Sequence, residues 1–488
     1  MGPDTPSGVP VTEQPSGVRA IRLVTLALLI GVSVFTASTI ARVTNYAIHP
    51  DETEHADAFC YYASHVWPPD LNVDGLIYSM SGWSRVYNSE LVYLIYGRAI
   101  RVIGFLLQPE APAQLAPIPE LDARPARVFL PLVSTEVELA CGLALDSVLR
   151  ASRSLNVMLL FATLVLLLLG GRRHIWTGIA GLLMMCLPQV IYLYSYANSD
   201  AWGLSMSLFL IAFVLIRGER LFRSLWSVAA LAVLTGLVLL TKETFWVSIP
   251  FAYLYAGLSV SRAEWNGRAA FSWQLVGALA LVVGISLALI APMRFYYPYT
   301  QGDFEARVEE MREERAMPAY KPSQVTAGGY WLARRGVPFW KVSRDLWWYE
   351  RSSQSTFGVF GWMNVESSPR ARQVAGAAFA ALASATYLFA VLRWRTLPES
   401  LQVGLVVAPL FVVLAVLLSL LNSWRVDEQP QGRYLFDALM PAAIIMAGTI
   451  ALEPRWLRGV RAAAFAVLFV LCQIVLWTTV VFNPALTG

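Results

Sequence analysis

Charged residues are scarce in this chain, and their scarcity sets its class. Asp, Glu, Lys and Arg make up 14% of the 488 residues, whereas a soluble globular domain carries about 25%. Hydrophobic residues make up 57% of the chain, and its mean hydropathy is +0.53. This composition excludes an ordinary soluble domain and predicts an all-α polytopic membrane protein. The net charge of +4 comes largely from arginines in short loops, which indicates membrane topology and not a nucleic-acid-binding surface.

Cysteine is also rare, since the chain has four cysteines, too few for a disulfide framework. Cys186 and Cys472 fall in apolar runs and are predicted to be packing residues. Cys60 and Cys141 lie in one predicted outer loop, and the sequence leaves open whether they pair.

Several motifs are missing altogether. The sequence contains no GxxxxGK[ST] phosphate loop and no HExxH zinc motif. It also shows no repeat of 20–50 residues, so a solenoid is not indicated. The lack of a nucleotide-binding loop argues against energy from cytoplasmic ATP and is compatible with an activated lipid donor.

Long apolar runs define the architecture. The run Leu23–Ala41 can span a hydrocarbon core of about 30 Å and follows residues 1–18, a predicted disordered cytoplasmic tail. A cleaved signal peptide is the alternative, but its apolar region is usually shorter. The other predicted spans are residues 155–170, 175–195, 201–216, 225–241, 245–260, 272–293, 372–392, 402–421, 434–452 and 462–482, about eleven transmembrane helices in all. Residues 86–107 carry Arg98 and Arg101 near their middle, which predicts an interfacial amphipathic helix.

Arginines in the short loops orient these helices. With the N-terminus inside, five connections face the cytoplasm, and each carries at least two arginines, such as Arg172 and Arg173. The short outer connections at 196–200 and 242–244 carry a single basic residue, Lys242. The long polar segments 42–153 and 294–371 therefore lie outside, and 303–315 is predicted to be a solvated helix. We expect an N-terminal catalytic module over 19–293, an outer segment over 294–371 and a C-terminal membrane module over 372–488.

The densest group of titratable residues follows the first span, in His49–Asp70. This stretch contains three of the four histidines, interleaved with aromatic residues. A solvated loop between membrane helices is the plainest explanation. Similar polar motifs occur at other predicted outer helix ends. They favour a functional site instead, because charged residues at the membrane boundary cost free energy.

Five further motifs share the predicted outer side. They are YSYANSD with Asn198 and Asp200, TKETFW with Lys242, MRFYYPY with Arg294, SSQSTFGVFGW with Trp362, and QPQGRY with Arg433 and Tyr434. Each has a simpler explanation on its own: Asn198 and Asp200 can cap a helix, and Arg433 can anchor the membrane interface. Their common side is what favours one shared site.

Carboxylates and cations at a membrane boundary suit a lipid-linked phosphate. Cations such as Lys242, Arg294 and Arg433 hold the phosphate while the lipid tail remains in the bilayer. His55 is predicted to be a further cation of this group. A nearby carboxylate then takes the proton of an attacking hydroxyl.

The same residues resemble the C-type glycosyltransferase superfamily with the GT-C fold. That superfamily includes protein O-mannosyltransferases, aminoarabinose transferases and oligosaccharyltransferases. The similarity lies in an acidic pair opening a long outer loop after the first helix, here Asp51–Glu52, and in GLVLLTK at Gly236–Lys242. The P-D-E-x-x-H segment at Pro50–His55, with F-G-W at Phe360–Trp362 and G-R-Y at Gly432–Tyr434, resembles bacterial members of that fold. The likeness covers roughly residues 20–450.

This resemblance implies roles for individual residues. Asp51 is expected to be the catalytic base, and Glu52 to share or orient that role. The expected substrate-binding residues are His55, Tyr61, Asn198, Asp200, Lys242, Arg294, Trp362, Arg433 and Tyr434. No cofactor is certain. A divalent metal stays open: metal-dependent members use acidic residues in a later outer loop, a part that Asp200 and Glu243 can play, whereas His55 and the cations favour phosphate contact without a metal.

The favoured function is transfer of a sugar from a polyprenyl-phosphate donor to a glycan, lipid or protein hydroxyl at the outer face of a bacterial inner membrane. A transporter or flippase is the first alternative, although it usually places ionisable groups near the bilayer midplane in repeated halves. A polymerase or ligase for surface polysaccharide uses the same lipid carrier and is hard to separate by sequence. A non-enzymatic scaffold leaves the HPDETEH cluster unexplained.

Overall fold

The computed structural model describes residues 16–45, 49, 51–107, 127–128, 145–265, 273–326, 328–361, 363–397, 399–447, 450 and 453–487. Across these ranges the regular structure is helical except for two pairs of two-residue strands. The predicted all-α class is therefore confirmed.

The first part of the chain forms one long helix followed by short outer elements. Helix α1 runs over Ser16–Val43 and is followed by α2 at Glu52–Ser64, β1 at Ile77–Tyr78 and α3 at Leu91–Leu107. Strand β1 pairs in parallel with β2, Arg127–Val128. Between β1 and α3, a short 3₁₀ turn covers Arg85–Tyr87.

Most of the next helices come in close succession. They are α4 Leu145–Gly170, α5 Ile175–Cys186, α6 Pro188–Leu193, α7 Asp200–Arg217, α8 Leu225–Leu239, α9 Ser248–Trp265 and α10 Trp273–Ala291. The predicted span 175–195 is therefore two helices. Pro188 supplies no N–H and occupies the first position of α6, which explains the break.

The rest of the chain returns from an outer segment to the helix bundle. The outer segment contains α11 Tyr297–Thr300, α12 Phe304–Arg315, α13 Phe339–Arg344, α14 Trp348–Gly358 and the antiparallel strands β3 Val359–Phe360 and β4 Val365–Glu366. The bundle is completed by α15 Pro369–Leu392, α16 Glu399–Arg425, α17 Leu439–Ala447, α18 Arg455–Leu476 and α19 Pro484–Thr487. A 3₁₀ helix, Gly432–Ala438, links α16 to α17.

Seven helices in the described ranges are long and apolar enough to cross a membrane. They cover Leu23–Val43, Leu145–Gly170, Asp200–Arg217, Gly277–Thr300, Pro369–Leu392, Leu401–Arg425 and Arg455–Val481, while Ile175–Cys186 and Leu225–Leu239 are shorter apolar helices. A membrane-spanning protein is thus supported, but the count of eleven spans is not confirmed.

The two long polar segments meet at one end of the bundle, which we call the outer end. Arg315 Nη2 of α12 lies 2.7 Å from Asp74 Oδ1, and Arg315 Nε donates to Asn72 Oδ1 at 2.6 Å. Met311, on the same helix, packs into the buried cluster formed by α2 and α3. The prediction that segments 42–153 and 294–371 share one side is consistent with these contacts.

The predicted helix at 303–315 is confirmed as α12. Asp303 caps it, because its side chain accepts a hydrogen bond from the Ala306 N–H at 3.2 Å. Half of its residues are exposed, and Met311 is its buried residue.

Helix α3 packs closely on α2. A Cβ at Gly97 of α3 would come within 2.5 Å of the Phe59 carbonyl oxygen of α2, so glycine allows the two backbones to approach. Arg98 donates to the carbonyls of Ala63 and His65 at 3.0 and 3.2 Å. Arg98, near the middle of the predicted amphipathic helix, therefore binds carbonyl groups at the C-terminus of α2, where cations are stabilising.

Candidate functional site

The acidic stretch after α1 is a buried helix. Residues Glu52–Ala63 of α2 are all buried, so the solvated-loop explanation of this cluster is wrong. Asp51 precedes the helix in a left-handed conformation, with φ of 57°, which aspartate tolerates better than most residues. Titratable groups held in this way need partners within the protein.

Asp51 and Glu54 share one arginine. Arg85 Nη2 donates to Asp51 Oδ2 at 2.8 Å, and Arg85 Nε donates to Glu54 Oε2 at 3.3 Å. Arg85 begins the 3₁₀ turn between β1 and α3. The Asp51 side chain is 19% exposed and the Glu54 side chain 4%. Asp51 is therefore the member of this pair that a substrate can reach.

Glu52 points into a different environment. Arg153 of α4 donates to both of its carboxylate oxygens at 2.7 Å, and the Ala197 N–H donates to Oε1 at 2.9 Å. Arg153 also donates to the Thr44 carbonyl at the end of α1, at 2.8 Å. Burial raises the pKa of Glu52, but the charges of Arg153 and His49 and the hydrogen bonds from Arg153 and Ala197 together outweigh burial and hold that pKa below its ordinary value. This pair joins α1, α2, α4 and the turn before α7.

A second charged group forms where α7, the end of α8 and the 3₁₀ helix before α17 meet. Asp200 opens α7; its Oδ1 lies 3.3 Å from Lys242 Nζ and its Oδ2 lies 3.6 Å from Arg433 Nε. Arg433 donates to the hydroxyls of Tyr196 and Tyr434 at 2.8 and 3.0 Å. Lys242 Nζ lies 4.6 Å from the centre of the Tyr434 ring. The structure thus brings together four predicted residues, Asp200, Lys242, Arg433 and Tyr434, from three different outer motifs.

The two charged groups influence each other electrostatically. Burial lowers the pKa of Lys242, but Asp200 and Tyr434 together outweigh burial, so the net shift of this pKa is upward. Arg85, from the first group, acts on both Asp200 and Lys242. Burial, reinforced by the charge of Asp51, raises the pKa of Asp427 to about 6. Asp427 follows α16 and was not predicted from the sequence. We call Asp51, Arg85, Glu54, Asp200, Lys242, Arg433 and Tyr434 the outer polar cluster.

His55 differs from the prediction. It is 5% exposed, and its Nδ1 lies 2.9 Å from the Tyr93 hydroxyl. Burial, together with the nearby charges of Arg85 and Lys242, holds its pKa well below the ordinary value. His55 is therefore a neutral residue of the α2–α3 core and not the cation that the sequence predicted.

Two other predicted site residues, Tyr61 and Asn198, have hydrogen-bond partners outside the outer polar cluster. Tyr61 is buried against His65, and its hydroxyl donates to the Trp67 carbonyl at 3.0 Å. Asn198 accepts from the Ala201 N–H at 2.9 Å, which supports the capping explanation for this residue.

Arg294 contacts the chain neighbours of Lys242, Thr241 and Glu243. It pairs with the exposed Glu243 at 3.3 Å, and its guanidinium lies 5.0 Å from the centre of the Trp246 ring. Trp362 lies outside the described residues.

The cysteines fall into two classes. Cys60, buried in α2, forms a disulfide bond, whereas Cys186 and Cys472 are buried free thiols, as predicted. Cys141 lies outside the described residues. No group of three or more His, Cys, Asp or Glu side chains with metal-site geometry occurs among the described residues.

Sequence reasoning missed Arg85, Glu54 as a partner of Arg85, and Arg153. Arg85 lies 34 positions from Asp51, and Arg153 lies 101 positions from Glu52. No local motif marks either arginine. In the sequence, each of these residues was only a charge within a polar or mostly apolar stretch. Such a charge is weak evidence of a functional role until the structure shows its partner.

Two crystal structures of ArnT from Cupriavidus metallidurans are similar to this chain. The form bound to undecaprenyl phosphate has a TM-score of 0.47 at 13% sequence identity, and the match covers 92% of this chain and 63% of that chain. The apo form gives a TM-score of 0.46 with the same identity and coverage. This chain therefore spans less than two thirds of the length of the ArnT chain.

A comparison with curated protein sequences gave no match. A family model described as "Predicted membrane protein (DUF2142)" matches residues 133–443. The matched region holds more than half of the chain and includes Arg153, Asp200, Lys242 and Arg433. This protein therefore belongs to the DUF2142 family of predicted membrane proteins.

Proposed function

We propose that this protein is a membrane glycosyltransferase of the GT-C type. It transfers a sugar from a polyprenyl-phosphate-linked donor to an acceptor hydroxyl on a glycan, lipid or protein. The observation that carries this proposal is the outer polar cluster. There, a partly exposed carboxylate, Asp51, shares an electrostatic environment with the cations Arg85, Lys242 and Arg433.

The cations suit the phosphate of a lipid-linked donor. Lys242 and Arg433 are held together by Asp200 at the outer ends of α7 and α8. A phosphate at this boundary pairs with the two cations while its polyprenyl tail remains among the apolar helices. A guanidinium with several donors is well matched to phosphate oxygens.

Asp51 is proposed as the general base. Its carboxylate takes the proton of the acceptor hydroxyl, and the acceptor oxygen forms a bond with the anomeric carbon of the donor sugar. The bond from that carbon to the phosphate oxygen breaks, and its electron pair leaves with the phosphate. Negative charge on the departing phosphate is stabilised by Lys242 and Arg433. Attack from the face opposite the phosphate gives inversion at the anomeric carbon.

Glu52 is proposed as a positioning residue. Both of its oxygens are already occupied by Arg153, and it is 1% exposed. It fixes the start of α2 against α1 and α4, and so fixes the position of the neighbouring Asp51.

The location proposed for this reaction is the periplasmic face of a bacterial inner membrane. The Cys60 disulfide supports an oxidising compartment on the outer side, because such bonds persist outside the cytosol. In this arrangement residues 19–293 supply Asp51, Arg85 and Lys242, and the module 372–488 supplies Arg433. Residues 294–371 form the outer segment that packs on the first loop.

Turnover by an Asp51→Asn variant tests the function. Purified protein in lipid nanodiscs is supplied with a panel of polyprenyl-phosphate sugars and a cell-envelope acceptor extract, and released polyprenyl phosphate is measured by mass spectrometry. We expect Asp51→Asn to lose about 10²–10⁴-fold in turnover while it still folds and binds polyprenyl phosphate. Asp345→Asn, at an exposed aspartate of the outer segment, serves as the matched control and should retain wild-type turnover.

The alternatives predict other results. Near-normal turnover by Asp51→Asn contradicts the base assignment, and Asp200 becomes the next candidate. Movement of a fluorescent lipid-linked sugar across the bilayer without release of polyprenyl phosphate contradicts the transferase proposal and supports a flippase.

A further inference from the structure

Two carboxylates from one turn of α2 compete for a single arginine. Arg85 lies 2.8 Å from Asp51 and 3.3 Å from Glu54. Lys242 and Arg433 contact Asp200 instead. Among the residues that the structure describes, Arg85 is the cation that pairs with both acids.

The two acids differ in their access to water. The Asp51 side chain is 19% exposed, whereas the Glu54 side chain is 4% exposed. A buried carboxylate beside a like charge is costly in its ionised form. Burial and the Asp51 charge raise the pKa of Glu54 to about 8, although Arg85 opposes both. At neutral pH one proton therefore resides on this pair, at Glu54.

In the described part of the chain, Arg85 is the cation that acts on Glu54. On its own helix, Asp51 and Asp57 both raise its pKa. From the following segment come Arg85 and, near Arg85, Glu90 and Tyr93. The neighbouring His55 is held neutral by burial.

The charge of the outer polar cluster depends on this proton. The cluster has three cations, Arg85, Lys242 and Arg433, and two further acids, Asp51 and Asp200. With Glu54 neutral the cations exceed the acids by one, and with Glu54 ionised the cluster is balanced. Asp427, near the cluster, carries a negative charge when the pH exceeds its pKa of about 6. With Asp427 counted, the charges balance while Glu54 is neutral, and one negative charge is in excess once Glu54 ionises, which weakens anion binding.

We propose that Glu54 is a charge-setting and positioning residue of the donor site: as a neutral acid, it holds Arg85 beside Asp51 and adds no further negative charge against the cations that bind a lipid phosphate. This inference rests on the proposed function. Glu54 itself neither touches substrate nor exchanges its proton during transfer. It acts through Arg85.

Infrared spectroscopy measures the proton on Glu54 without reference to function. In a pH titration of purified protein, the difference between wild type and Glu54→Gln should contain the C=O stretch of a carboxylic acid at pH 7. That band should disappear as the pH rises through about 8. Absence of the band at pH 7 overturns the proposal. Should Glu54→Gln fold poorly, Glu54→Met is also neutral and of similar length.

The second measurement is the affinity for undecaprenyl phosphate in nanodiscs between pH 7 and pH 9.5. Glu54 gains a negative charge as the pH rises through its pKa, so the wild-type affinity should fall by roughly three- to tenfold. Glu54→Gln should lose less than about twofold between pH 7 and pH 9.5, relative to its own affinity at pH 7, because a glutamine gains no charge in this range. Glu305→Gln, at an exposed acid of α12, should follow wild type.

The outcomes separate the two proposals. A Glu54→Gln variant whose affinity falls by the same factor at every pH has lost only a structural contact, and this contradicts charge setting. If no variant binds undecaprenyl phosphate at any pH, the proposed function fails, while the infrared band still decides the protonation of Glu54.

Discussion

Adjacent residues at the start of α2 have different partners. Asp51 contacts Arg85 and Glu52 contacts Arg153, because successive side chains on a helix point in different directions. The sequence correctly marked this acidic pair as unusual and predicted that its members differ. It did not identify either arginine, since long-range ion pairs leave no local pattern.

The Glu52–Arg153 pair allows a prediction about stability. Glu52→Gln leaves the Arg153 guanidinium buried without its counter-charge, and breaking a buried pair in this way costs about 3–5 kcal/mol. We expect a clearly lower midpoint of thermal unfolding in detergent. Glu309→Gln removes an exposed acid paired with Arg334 and should change the free energy of unfolding by at most about 1 kcal/mol. Equal midpoints for the two variants would mean that the buried pair contributes little.

Arg433 provides a second residue-level prediction. Its separate nitrogens reach Tyr196, Tyr434 and Asp200, a geometry that a single ammonium group cannot reproduce. Arg433→Lys should therefore weaken binding of undecaprenyl phosphate about tenfold or more despite the retained charge. Binding isotherms at fixed salt measure this change, and Arg334→Lys on the outer segment is the control. Unchanged affinity in Arg433→Lys would show that charge alone suffices at this position.

At the scale of elements, the packing of α3 on α2 builds the outer half of the site. The sequence predicted an amphipathic helix over 86–107 and read Arg98 and Arg101 as obstacles to membrane insertion. In the structure, both arginines donate to the Ala63 carbonyl at the end of α2. Helix α3 was predictable from its pattern of apolar and charged residues. Its packing against α2 was not, because only Gly97 marks the close approach of the two helices in the sequence.

Gly97→Ala tests this packing. The new methyl group would lie within 2.7 Å of backbone atoms of α2, and such overpacking typically costs about 1–3 kcal/mol. Gly284→Ala in α10 is the matched control, because nothing lies within 4 Å of the added methyl group. We expect a lower unfolding midpoint for Gly97→Ala and an unchanged or slightly higher one for Gly284→Ala. Similar midpoints would contradict the close α2–α3 contact.

At the scale of the whole molecule, composition and apolar runs were sufficient to predict a helical membrane protein with long polar segments on one side. The number of spans was harder to predict. Seven helices in the described ranges meet a length and hydropathy criterion, because proline and polar residues break or shorten others, as at Pro188. The site was predicted in part: Asp200, Lys242, Arg433 and Tyr434 meet, but burial makes His55 neutral and Arg294 pairs elsewhere.

Topology remains a prediction with a direct measurement. Reporter fusions after Arg172, Arg220 and Arg458 should indicate the cytoplasm, because arginine-rich short loops stay inside. Fusions within 303–315 should indicate the outer compartment, on the side of Cys60. A cytoplasmic signal within 303–315 would place the outer polar cluster on the wrong face for a periplasmic transferase.

The most direct test of the central claim is binding of undecaprenyl phosphate to the purified protein in nanodiscs, measured by native mass spectrometry. The account predicts that wild type and Asp51→Asn both retain the lipid phosphate. A Lys242→Gln, Arg433→Gln double variant should lose most binding because the phosphate has lost both cations, while Arg334→Gln should bind like wild type. Failure of the wild type to bind, or equal binding by the double variant, would contradict the assignment of the outer polar cluster as a lipid-phosphate site.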